Sequence, residues 1–141
     1  GGEVDFMPAG ISAAAAQVQA GKMRVLAVVN PEPVATLPDV PAITDALPEM
    51  AKFLPWGPFY GVFVRQDVPD DVKAKLVSSF DTAAKSETFT TLMANKGNVV
   101  MNISGDEAAA FIKKWQQVTA WALQDSGAAK VSPEKLGIMR P

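Results

Sequence analysis

Arg24-Val25-Leu26-Ala27-Val28-Val29 is, past its arginine, a continuous apolar run rich in β-branched residues. Such runs suit strands buried on both faces, as in parallel sheets. Upstream, Val4 to Met7 reads as a short strand ending at Pro8-Ala9-Gly10. Between the two, Ile11, Ala15 and Val18 fall on one helical face, and Gly21 suits the left-handed position just past a helix end. Strand, helix and strand within 30 residues predict a βαβ unit, and with it an α/β fold.

Downstream the texture changes. Seven prolines between Asn30 and Pro58 (Pro31, Pro33, Pro38, Pro41, Pro48, Pro55 and Pro58) interrupt regular structure. A short helix fits at 42–46, and the rest reads as a connector over a surface or between two lobes. Phe59 to Val64 returns to strand character. Asp67 offers a helix cap, with Pro69, Asp70 and Asp71 in the first turn, and Val72, Leu76, Phe80 and Ala83 follow at helical spacing. A further helix carries Phe89, Leu92 and Met93 and ends at Gly97. Val99 to Ile103 is a fourth strand candidate. Ser104-Gly105-Asp106-Glu107 matches a capping box. It opens a long helix whose apolar stripe is Phe111, Trp115, Val118 and Ala122, with Lys113, Lys114 and Gln117 opposite. The tail from Ala128 to Pro141 is polar and predicts an irregular or loosely docked segment.

Composition narrows the function. The 141 residues suffice for one domain with a core, and 48% apolar with 20% charged residues is ordinary for a globular protein. A net charge of −2 with scattered Lys and Arg gives no footprint for a nucleic-acid partner. The chain has no His and no Cys. The commonest general base, the commonest metal ligand and the thiolate nucleophile are thus all missing. Neither a Gly-x-Ser-x-Gly elbow nor a phosphate-binding glycine loop occurs. The reading is of a non-enzyme with no cofactor and no metal. Asp70-Asp71 and Asp106-Glu107 sit where helix starts favour negative charge, which accounts for them better than a cation site does. Trp115 lies on the apolar stripe and reads as core. Trp56, within Pro55-Trp56-Gly57-Pro58, reads as a packing anchor more readily than as a site residue.

The turn Pro8-Ala9-Gly10-Ile11-Ser12 leads from a strand into a helix. Unpaired N–H groups and the helix dipole favour a carboxylate there. Ligand crevices in α/β sheets lie at the C-terminal ends of strands, where Asn30 also falls. The alternative is an ordinary βα turn, and the residues alone favour that.

The order of motifs adds to this. Gly2-Glu3-Val4-Asp5, then Ala20-Gly21-Lys22-Met23-Arg24-Val25-Leu26-Ala27-Val28, then Leu37-Pro38-Asp39-Val40-Pro41 resembles the tripartite tricarboxylate transporter receptors, also called Bug-type binding proteins. Trp56-Gly57, Val68-Pro69, Gly97 and the helix from Ser104 to Trp115 match later landmarks of that family. Ala42 stands where the family usually has Thr, and Asn30-Pro31-Glu32-Pro33 replaces a Thr-Ser and basic stretch. Leu47 arrives without its usual preceding Gly. The departures leave the identity of the ligand open.

The resemblance implies a two-lobe, type II periplasmic-binding-protein-like fold that closes on a small carboxylate. It also implies a periplasmic location and membrane permease subunits as partners. It implies that this chain is the C-terminal part of a longer protein, with residues 1–55 ending the second lobe and 56–141 completing the first. Unpaired sheet edges are then expected, and a homodimer can cover them. The cleft-facing positions it implies are Asp5, the turn Met7, Pro8, Ala9 and Gly10, and Asn30. Asp5 is equally readable as a turn-stabilising residue. A sensory or protein-interaction domain reusing the same fold is the alternative function.

Overall fold

Helices carry the regular structure of residues 3–141, the part of the chain that the computed structural model describes. In chain order these are α1 (Ile11–Gln19), α2 (Ile43–Ala46), α3 (Asp70–Ala84), α4 (Glu87–Asn95) and α5 (Gly105–Asp125). Single 3₁₀ turns at Pro48–Phe53 and Pro133–Leu136 follow α2 and α5.

Three of the helix ends have one local cause. After α1, Gly21 at φ +68° lets its N–H reach Val18 O (3.0 Å) while the Lys22 N–H reaches Gln17 O (2.9 Å). Gly97 after α4 and Gly127 after α5 close the same pair of bonds. Each glycine takes a left-handed conformation that costs other residues free energy.

The helix starts differ from expectation in two places. α3 is capped by Pro69, and Asp67 instead receives two bonds from Arg65, at 2.9 and 2.7 Å. Ser104 precedes α5 without a side-chain capping bond, so the expected capping box is not formed. Ser86 does cap α4, accepting from the Phe89 N–H at 3.3 Å.

The main correction concerns the sheet. No strand is present among the described residues, so the α/β expectation is met in its helices and not in its strands. One isolated parallel bridge joins Val28 to Ala42. In it the Val28 N–H donates to Pro41 O (2.9 Å) and the Ile43 N–H donates to Val28 O (2.8 Å). The physical reason is a lack of partners, because a strand exists only as part of a ladder. Val4, Phe6, Leu26, Tyr60, Val62, Phe63 and Val99 all lie exposed in the four segments expected to be strands. The fourth also contains Asn102 at φ +48°, which breaks an extended run.

The buried apolar residues are few: Val28, Ala42, Leu54, Ala84, Val118 and Trp121. Around α5, Phe59 meets Phe111 and Trp115 edge-on, with centroids 5.3 and 5.2 Å apart. Trp115 Nε1–H donates to Gly57 O (2.8 Å), which fixes the chain entering this cluster. Lys114 and Gln117, expected to face solvent, donate to Leu54 O and Met139 O. The buried face of α5 also takes in Trp121 in place of the exposed Ala122. The tail is the cause. Trp121 Nε1–H donates to Ile138 O (3.1 Å), and the Arg140 guanidinium lies 4.1 Å over the Trp121 ring. Arg140 also grips Asp125 through two bonds of 2.9 Å. The tail is therefore irregular outside Pro133–Leu136, as expected, but more firmly docked than its polar composition suggests.

Candidate functional site

Three elements meet at Gly97. Ile11, the first residue of α1, packs so closely that a Cβ added to Gly97 would lie 2.7 Å from Ile11 Cγ2. Gly97 itself ends α4 and also lines a groove of about 360 Å³. The opposite wall is the loop after Val29, including Asn30, Glu32 and Thr36, and Asn98 and Val99 extend the near wall.

Each wall is held from behind. Val28 is fixed by its bridge to Ala42, so the loop departs from a buried point. Asn30 Nδ2 donates to Glu32 O (2.8 Å) and curls the loop. Thr44 Oγ1 donates to Pro31 O (3.0 Å) and ties it to α2. On the near side, Asn102 Nδ2 donates to Asp81 Oδ1 (2.8 Å), anchoring the segment after Gly97 to α3. The Lys85 ammonium and the Asn102 amide, both bonded to Asp81, hold its carboxyl below the usual aspartate range.

α1 brings an open start to this meeting point. Gly10 is its N-cap, with no side-chain capping bond and no acidic residue in the first turn. The other three long helices each carry acidic residues there: Asp70 and Asp71, Glu87, and Asp106 and Glu107. Ala13 and Ala14 N–H both turn back to Gly10 O, at 3.0 and 3.1 Å. The N–H groups of Ile11 and Ser12 precede the first intrahelical bonds and are available to an outside acceptor. No Lys or Arg is among the residues lining the groove, whereas Glu32 is. An anion held here would rely on amide and backbone donors rather than on an ion pair.

The positions expected to face a cleft separate. Asn30 lines the groove, and Gly10 starts the helix whose next residue touches Gly97. Asp5, Met7, Pro8, Ala9 and Gly10 itself are exposed and line neither this groove nor the cavity beside Trp56. Gly97, Asn98 and Thr36 were missed as lining residues. In the sequence Gly97 signals only a helix end, and no local pattern announces that Ile11 lies against it.

A groove that sets Asn30, Asn98, Thr36 and Glu32 among apolar residues such as Val34 and Val99 suits a small solute with both polar and apolar parts. Comparison with known families agrees with that class. Residues 1–125 match the tripartite tricarboxylate transporter family receptor, and the chain belongs to that family. Its members are substrate-binding receptors of the periplasm, not enzymes. No curated protein and no solved structure matches the chain. No helix among the described residues is long and apolar enough to cross a membrane.

Proposed function

We propose that this chain is part of a receptor that captures a small carboxylated solute and presents it to the membrane permease of a tripartite tricarboxylate-type transporter. The family match carries the reading, and the groove between the Asn30 loop and the end of α4, with Ile11 of α1 packed on Gly97, supports it. The ligand carboxylate meets the Ile11 and Ser12 N–H groups, while Asn30 and Asn98 orient its polar remainder. Residues 1–55 and 56–141 contribute to two lobes of an α/β receptor that works in the periplasm. The exposed apolar segments at 4–7, 24–29, 59–64 and 99–103 pair there with the rest of the sheet. Their exposure among the described residues supports this larger assembly.

Calorimetric titration of the receptor containing residues 1–141 with succinate, citrate and glutamate tests the reading. Saturable binding of at least one acid is expected. If all three give no heat at millimolar concentration while a neutral sugar binds, the carboxylate assignment is wrong.

A further inference from the structure

A second cavity, of about 300 Å³, shares no lining residue with the groove and is lined by Trp56, α5 and the docked tail. Its floor is Phe53, Trp56, Val118 and Trp121. Both indoles have their polar atoms committed elsewhere. Trp56 Nε1–H donates to Thr119 Oγ1 (2.9 Å) and Trp121 Nε1–H donates to Ile138 O. What they offer the cavity is ring carbon, with no donor left to satisfy.

The rim is charged but unevenly neutralised. Arg140 is consumed by its two bonds to Asp125 and by stacking on Trp121. Lys52 Nζ rests 4.7 Å over the Phe53 ring and has no carboxylate partner among the described residues. The apolar lining therefore carries one unneutralised ammonium group, Lys52, with the Pro141 main-chain end also at the cavity.

We propose that this cavity binds a small aryl monocarboxylate, its ring on the Trp56 and Trp121 carbons and its carboxylate on Lys52. The volume is at the lower end for ligand sites and suits a single ring. A dicarboxylate would set a second charge over the apolar floor with no second free cation to meet it. An amine would bring its charge toward Lys52. The site thus selects a single-ring monocarboxylate through residues that the groove does not share.

The test is an NMR titration of the isotopically labelled chain with phenylacetate, reading the three indole N–H signals. The Trp56 and Trp121 signals are expected to move saturably. The Trp115 signal, committed to Gly57 O outside the cavity, is expected to stay. Phenethylamine at the same concentration should move none of them. Lys52→Met keeps the apolar stem over Phe53 and should weaken phenylacetate roughly tenfold or more, the loss of one hydrogen bond to a charged group. Asn30→Asp should leave this titration unchanged. Absence of saturation, equal response to phenethylamine, or unchanged affinity in Lys52→Met would each overturn the proposal.

Discussion

Gly97 and Ile11 form a tight joint between α1 and the end of α4: an added Cβ at Gly97 would stand 2.7 Å from Ile11 Cγ2 and 2.9 Å from Ile11 Cβ. Neither atom is the far end of a flexible side chain, so α1 itself must shift to admit a methyl group. Gly97 also holds φ +69°. Gly97→Ala combines left-handed strain with overpacking and should cost roughly 2–4 kcal/mol. Gly21→Ala is the control. It has nearly the same φ, +68°, but nothing within 4 Å, so only the strain remains, roughly 1–2 kcal/mol. Urea denaturation of the two variants measures the difference. Equal losses would mean that the Ile11 contact carries no energy.

The groove makes an electrostatic prediction. Glu32 lines it and no Lys or Arg does. Glu32→Gln removes a like charge from the path of an anionic solute and should tighten carboxylate binding, by roughly two- to fivefold at low ionic strength. Asn30→Asp adds a like charge and loses the bond to Glu32 O, so binding should weaken. Titration of both variants at two salt concentrations checks the sign. A tighter Asn30→Asp variant would place the carboxylate somewhere else.

Acid should release the tail before it melts the helices. The Arg140 guanidinium bonded to Asp125 holds that carboxyl below its ordinary value of 3.8, as Lys85 and Asn102 do for Asp81. A depressed folded-state pKa gives stability that is present above the unfolded value and lost as pH falls through the folded one. The window therefore lies below 3.8. Trp121 reports directly, because Arg140 lies on its ring and Ile138 O accepts its N–H. Its emission should change in that window. In Asp125→Asn the change should disappear from the acid limb, with the pH 7 emission shifted toward the acid form but not equal to a released tail, since Ile138 O and Met139 O still accept from Trp121 and Gln117.

The helices were readable because their signals are local. Gly21, Gly97 and Gly127 mark ends that close within five residues, and Asp70, Asp71, Asp106 and Glu107 mark starts. The strands were readable only as composition. Val25 to Val29 has the right residues, but pairing is a property of two segments, and only Val28 finds a partner. Asn30 was expected at a crevice because it ends a strand segment; that strand does not form, and the residue lines a groove for the different reason that its loop lies across from Gly97. Gly97 could not be placed at the groove, since its neighbour Ile11 is 86 residues earlier in the chain. The tail was legible as an irregular docked segment but not in its strength: polar composition does not announce that Arg140 finds both Asp125 and Trp121.

The unpaired apolar segments give the last prediction. Tyr60 is 93% exposed, Val62 72% and Phe63 68%, in one short stretch that also offers unpaired backbone groups. Isolated exposed apolar residues are normal, but a row of them on a chain segment able to form a strand is a template for pairing. Light scattering of the 141-residue chain should therefore show concentration-dependent association, and circular dichroism should show β-structure rising with it. Val62→Lys places a charge in the middle of the row without touching any helix, and should return the chain toward monomer with its helical signal intact. If the wild-type chain stays monomeric at high concentration, with no bound fluorescent dye at its apolar surface, these segments are covered by the chain itself. The account of them as sheet edges awaiting partners would then have to be abandoned.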